Sequence, residues 1–260
     1  MHRSLVGGSI LAMLAASPAS AVPAIDGSRD AEYGAAKAVQ TVQTGFGDNA
    51  SEWNAAYAVC NGGRLNLMLT GNLEANFNIL EIFIDSKAGG QPVFDSSGND
   101  NANLMDGLVF DAGFTADYHV IARRGTDTGN LKFDLDFADL GAQSASGYID
   151  IMTASGVDGT GSTGTGVNAT AILVGYDNSN AAGIGGAAPN AADQTAAAAV
   201  TTGLEIGIAL TDLGWDGVSP LRVMVGQNNG NHDYWSNQFL GGLPAPAGNL
   251  GGDEAGGFTG

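Results

Sequence analysis

The residues able to do chemistry fall into three groups. The first is the loop "DSSGNDNANLMD". There Asp95, Ser97, Asn99, Asn101, Asn103 and Asp106 place side-chain oxygens at positions 1, 3, 5, 7, 9 and 12 of a twelve-residue run. Ca²⁺ takes roughly six to eight oxygens, and this spacing lets a loop wrap one ion. Ca²⁺ is therefore the expected cofactor. The run departs from an EF-hand: Asp100 stands at the glycine position, the last residue is Asp rather than Glu, and strands rather than helices flank it. Asp85 and Asp111, at the adjoining strand ends, are either further ligands or ordinary turn caps.

The second group lies in "NGNHDYWSNQFLGGLP", Asn229 to Pro244, where aromatic residues are concentrated in a Gly- and Asn-rich background. Aromatic faces beside amide groups suit the apolar faces and hydroxyls of a sugar. Tyr234, Trp235 and Asn237, with Trp53 as a further tryptophan, are the candidate ligand-binding residues. The alternative is that Trp235 and Phe239 close one end of the core while the asparagines satisfy a turn.

The third group is titratable. His119 and His232 are the histidines beyond the amino-terminal leader, and neither a G-x-S-x-G elbow nor an H-E-x-x-H helix accompanies them. A glycoside hydrolase needs two carboxyls at a defined separation. Glu74, Glu81, Asp85 and Glu205 are the available acids, with Glu81 and Glu205 expected as outward polar residues of strands. No catalytic residue is assigned. "GTGSTG", Gly159 to Gly164, fits G-x-G-x-x-G but has no strand before it or helix after it, and is expected to be a flexible loop. Cys60, the single cysteine, ends the apolar stretch "AAYAVC" and is expected to be a buried small hydrophobe, leaving no internal disulfide.

These residues need elements to position them, and the pattern is one of alternation. "ILEIFID" puts Leu80, Ile82 and Ile84 on one side and Ile79, Glu81, Phe83 and Asp85 on the other. "KFDLDF" turns Phe133, Leu135 and Phe137 in and Lys132, Asp134 and Asp136 out. Trp53, Ala55, Tyr57 and Val59 are expected to share a face, as are Leu65, Leu67 and Leu69. "DYHVIA", "YIDIM", "TAILVGY", "LEIGIAL" and "LRVMVGQ" repeat the theme. Such segments, separated by Gly, Asn and Asp clusters, are half-buried antiparallel strands. The expected fold is all-β: a two-sheet antiparallel β-sandwich, jelly-roll-like, with long Gly/Asn/Asp-rich loops. "LTDLGW" is the one helical hint, and the Gly/Ala/Thr/Ser-rich zone from Ala154 to Thr202 is expected as surface loops around "TAILVGY".

Residues 1–21 have the form of a signal peptide. A short positive start precedes the apolar run Leu5–Ala16 and the small-residue site Ala19-Ser20-Ala21. The run is too short to span a membrane, which takes about 20 apolar residues. The expected organisation is a leader over 1–21, one sandwich domain over 22–246 and a flexible tail over 247–260, in a secreted, extracellular protein. Net charge is −18, and Asp outnumbers Glu by 21 to 6. That surface repels nucleic acid and anionic membranes, so neither is an expected partner.

Four stretches in order resemble family-nine carbohydrate-binding modules and their DOMON-like relatives. These are "VPAIDGSRDAEYG", "LEIFIDSKAGG", "GLEIGIALTDLG" and "LRVMVGQNNGNHDYWSNQ". "TGNLEANFNILEIFIDSKAGGQ", "FDAGFTADY" and "SNQFLGGLP" are also similar to secreted bacterial β-sandwich proteins that often carry a surface-sorting tail. The resemblance implies calcium-stabilised loops and sugar held by aromatic side chains. It implies a non-enzymatic module for polysaccharide or a cell-surface glycan. It also admits haem held by a Met and a His, for which Met68, Met224, His119 and His232 are the available residues. The rival expectation is a structural or adhesive surface protein whose sandwiches self-associate through edge strands.

Overall fold

The computed structural model describes residues 21–96, 98–153, 158–240 and 243–252. Ser97, most of the leader (residues 1–20) and the last eight residues lie outside them. The chain forms two antiparallel six-stranded sheets packed face to face, an all-β sandwich. The first sheet contains β1 (Ala38–Val39), β2 (Glu52–Asn61), β3 (Arg64–Asn72), β8 (Gly159–Ser162), β9 (Leu173–Tyr176) and β10 (Gly203–Ala209), in the spatial order β1-β2-β3-β10-β9-β8. The second contains β4 (Asn76–Asp85), β5 (Tyr118–Asp127), β6 (Asn130–Asp139), β7 (Ser144–Tyr148), β11 (Arg222–Asn228) and β12 (Trp235–Phe239), in the order β12-β11-β4-β5-β6-β7.

The alternating aliphatics create the space between the sheets. Leu65, Leu67 and Leu69 of β3 face Leu80, Ile82 and Ile84 of β4, and Val120, Phe133, Leu135 and Phe137 extend the same core. Each such side chain contributes about 1.5–3 kcal/mol on full burial. In β2 the expected common face is broken. A register shift between Trp53 and Ala55 leaves Trp53 in the inter-sheet core, while Ala55 and Tyr57 pack on the outer face with Tyr33 and Met68. A bulge takes one residue out of the ladder, so alternation counted across it fails.

Both outer faces are covered in part, and this matters for the polar residues beneath the covering segments. The segment from Ser86 to Asp117 folds over the second sheet, burying Phe94, Ala102, Met105 and Phe110 against Phe83 and Trp235. The amino-terminal segment with Tyr33 folds over the first. Two parts of the Gly/Ala-rich zone are regular rather than loops. Gly159–Ser162 is the edge strand β8, pairing with β9. Gln194–Ala199 is a helix, α1, whose N-cap Asp193 accepts from the Thr195 and Ala196 amides. The cap and the alanine run supply its stability. "LTDLGW" instead forms a turn, closed by the Leu213 amide on the Ala209 carbonyl. Among the described residues, no helix is long and apolar enough to cross a membrane.

Candidate functional site

The aromatic stretch does not assemble into one platform. Tyr234 is 41 % exposed and stacks on Phe46 at 6.1 Å. Trp235, next to it, points the other way and is buried against Phe239, with ring centroids 5.0 Å apart. Trp53 is fully buried and donates its indole N–H to Gln227 Oε1 at 2.6 Å. Asn237 is an internal tie: its amide donates to the Gln43 and Ala247 carbonyls at 2.7 and 2.8 Å and accepts from the Gly45 amide at 2.8 Å. Of the four expected ligand-binding residues, Tyr234 alone offers a face to solvent. Trp235 packs into the cluster over the second sheet, Trp53 lies in the inter-sheet core, and Asn237 ties covering segments to β12. The tie also reaches past residue 246: the Trp235 and Gly251 backbones bond in both directions, so Ala247–Gly251 docks along β12 inside the segment expected to be a flexible tail.

The Asp95–Asp106 run serves the fold in another way. The Asp106 carboxylate accepts from the Ser96 amide at 2.7 Å, and Asn101 and Asn103 are exposed. Asp100 and Asn101 take left-handed backbone angles, with φ of 49° and 61°. This conformation turns Asp100, the residue at the EF-hand glycine position, inward to pair with Arg123 and His232. Ser97 lies outside the described residues. Among those described, no group of three or more His, Cys, Asp or Glu side chains is arranged to hold a metal ion. Asp106 uses one carboxylate oxygen on the Ser96 amide, and Asp100, outside the expected ligand set, faces Arg123 and His232. No role for Ca²⁺ is carried into the functional reading.

What Asp100 joins is the densest chemical cluster in the protein, on the covered face of the second sheet. Glu81 on β4 is fully buried. His119 Nε2, from β5, lies 2.7 Å from Glu81 Oε2, and His232 Nδ1, from the turn before β12, lies 2.7 Å from Glu81 Oε1. His232 Nε2 is 3.3 Å from Asp100 Oδ2, so both of its ring nitrogens face carboxylates. Arg123 continues the network to Asp134 and Asp136 at 3.8 and 3.7 Å. Burial raises the pKa of Glu81, but the charges and hydrogen bonds of His232 and His119 outweigh it and hold the group at about 2. Burial raises Asp136 above its ordinary value despite Arg123. The His119 ring stacks on Phe83 at 4.5 Å with an edge contact to Phe94 at 5.1 Å. The histidines and Glu81 are sealed from solvent, so the cluster pins the covering loops to the sheet.

A second buried acid explains the amino-terminal motif. Glu205 on β10 accepts from the Asp26 and Gly27 amides, both at 2.7 Å, and from the Tyr33 hydroxyl at 2.8 Å. Burial pushes Glu205 up to about 7 against the pull of these donors. Gly27 has φ of 89°, and a Cβ there would lie 2.6 Å from the Asp177 amide. The "IDG" turn, the tyrosine and the late-strand glutamate are thus one clasp. Glu81 and Glu205 do sit on outward faces, as alternation requires, but covering segments bury both. They lie on the outer faces of different sheets and cannot form a glycosidase pair. Met68 and His119 are divided in the same way, so these two cannot hold one haem between them.

The open concavities lie elsewhere. A groove of about 710 Å³ runs over the hairpin end of the first sheet, between Val22–Ile25 on one side and Ile151–Thr153 with β8 on the other. Its lining mixes apolar Ile25, Ile151 and Leu173 with Asn66, Arg64, Thr160 and Ser162. Arg64 is held in place by the Ala171 and Gly207 carbonyls at 3.1 and 2.8 Å. Asn66 is buried and donates its amide to the Asn61 carbonyl at 3.2 Å, while its Oδ1 meets no hydrogen-bond partner among the described residues. That oxygen lies 3.3 Å from where a Cβ on Gly207 would stand, with the Arg64 and Ile25 side chains at 3.5 Å from the same point. Neither Asn66 nor Ser162 was among the residues singled out from the sequence, because their juxtaposition depends on pairing β3, β10, β9 and β8. Comparison with known protein families, curated proteins and solved structures finds no match.

Proposed function

We propose that the chain is an exported, non-enzymatic binding module for a hydroxyl-rich ligand, an extracellular polysaccharide or cell-surface glycan, held in the groove over Asn66. The observation that carries this reading is the unpartnered Asn66 Oδ1, a buried acceptor in the groove lining. A buried acceptor without a partner costs about 1–3 kcal/mol, and a ligand hydroxyl donating to it recovers that cost. The groove's volume falls within the range of ligand sites, about 300–1,000 Å³, and its mix of apolar walls and a few hydrogen-bonding groups is typical of them. The exposed hydroxyls of Thr160 and Ser162 add donors and acceptors along the β8 wall. Glu81, His119 and His232 are paired on the covered face of the other sheet, away from this groove, which leaves the groove to binding.

The test is retention of the protein on insoluble polysaccharides and on a glycan array, with Ser162→Trp filling the groove. The expected result is binding by the parent and at least a tenfold loss in the variant, with thermal unfolding unchanged. Equal retention of parent and variant would remove the groove from the account, and retention on no glycan would remove the ligand class.

A further inference from the structure

The sandwich is not closed along its whole length. Between β2 and β3 of one sheet and β11 of the other, a cleft of about 410 Å³ opens at the sheet edge. Its floor is Leu65, Leu67, Leu69 and Val225, all buried. Its walls are Ala56 and Ala58 of β2 facing Leu221, just before β11, and Val223 of β11, with Leu240 at the end, and these five are half-buried rather than sealed. The cause is local. Ala56 and Ala58 are small where their neighbours on the inward side of β3 are leucines. The sheets therefore stand apart on an apolar gap instead of interdigitating, as packed interiors do.

Charge at the lip is unusual for this chain. Lys37 contributes to the cleft lining, is exposed, and makes no ion pair among the described residues. It is one of 9 lysines and arginines set against 27 acids. Lys37 precedes β1, anchored by its backbone amide on the Ala56 carbonyl at 2.8 Å. A lysine stem lies along apolar surface while its ammonium stays in water, which places a free cation over the opening of an apolar cleft.

We propose that this cleft is a second ligand site, which takes the hydrocarbon chain of a monomeric, single-chain anionic amphiphile while Lys37 pairs with its head group. A medium-chain carboxylate is the simplest member of the class. A methylene is about the size of a water molecule, which has roughly 30 Å³ of liquid volume, so the cleft accommodates about ten to fourteen carbons. The site is separate from the glycan groove, which lies on the outer face of the first sheet, and the failure of one leaves the other standing.

The probe is dodecanoate, used below its micellar concentration, titrated into the full chain by calorimetry and by displacement of a fluorescent fatty acid. Binding is expected to be saturable at one site. Affinity should rise about fourfold per added methylene from octanoate to dodecanoate, the factor equivalent to ~0.8 kcal/mol per buried methylene. Ala58→Phe, which fills the cleft, should abolish uptake while leaving the unfolding temperature equal or higher. Ala56→Leu gives the same reading if the first variant folds poorly. Lys37→Gln should weaken dodecanoate about two- to fivefold, the strength of an exposed ion pair, and leave dodecanol unchanged. Cys60, which the structure exposes at the same cleft instead of burying it as its apolar stretch suggested, gives an independent readout: dodecanoate should slow its alkylation in the parent. Absence of saturable binding, affinity independent of chain length, or undiminished binding in both filled variants would each overturn the proposal. Dimerisation of the parent that Ala58→Phe abolishes, with no dodecanoate uptake, would assign the cleft to a second copy and equally overturn it.

Discussion

Replacing Glu81 by Gln keeps the side chain's size and removes one charge at the centre of the buried cluster. The structure sets the magnitude. Two histidines hold Glu81 at about 2, against an ordinary 4.5. A tenfold change in a carboxyl's proton affinity on folding corresponds to about 1.4 kcal/mol between its protonation states, so the ionised carboxylate contributes about 3 kcal/mol at neutral pH. A folded-state pKa below the unfolded one means stability that is present above about 4.5 and is lost as pH falls through about 2. Glu81→Gln should therefore unfold about 3 kcal/mol more easily at pH 7, in line with the cost of breaking a buried pair. At roughly 2–4 °C per kcal/mol for a chain of this size, the midpoint should fall by about 6–12 °C. Urea unfolding at several pH values gives the second signature: the variant should show a shallower acid slope than the parent. A variant within about 0.5 kcal/mol of the parent at pH 7, the range of an ordinary surface change, or one with an unchanged acid slope, would refute the reasoning.

Glu205 predicts the opposite sign. Its folded pKa is raised to about 7 from 4.5, so its stabilising contribution is full below 4.5 and is lost as pH rises through 7. Glu205→Gln should flatten that alkaline decline in denaturant titrations between pH 4 and pH 8, by up to about 3 kcal/mol. Gly27→Ala forces a Cβ against the Asp177 backbone at a positive φ and should cost more than about 1 kcal/mol. Limited proteolysis should then cut the amino-terminal segment faster than in the parent. EDTA should leave the melting temperature unchanged, because Asp100 and Asp106 are held by Arg123 and Ser96. Stabilisation by added Ca²⁺ after EDTA treatment would show that the loop binds an ion.

The sheets were legible because burial on one face writes itself as alternation. The paired faces of "ILEIFID" and "KFDLDF" are oriented in the structure as their sequence requires. The β2 bulge was not legible: no composition signal separates Trp53 from Ala55, and the shift exists only against β3. Nor did alternation reveal that outward positions would be roofed. Glu81, His119 and His232 come from three distant stretches and meet because β4 pairs with β5 on one side and β11, which leads into the His232 turn, on the other, a neighbourhood that alternation does not encode. The burial of Trp235 and Asn237 was hidden for the same reason, since a strand edge covered by chain is interior. Of the groove, the sequence offered separate residues in β3, β8 and the amino-terminal segment and no way to see them as neighbours.

The central claim is that a hydroxyl-rich ligand sits over Asn66. The most direct measurement is a ¹H–¹⁵N NMR titration of the mature chain with the glycan retained best. Shifts confined to the Asn66 side-chain amide and the backbone amides of Thr153, Thr160 and Ser162 are the predicted result. Shifts centred instead on Phe46 and Tyr234, with the Asn66 signals unmoved, would contradict it.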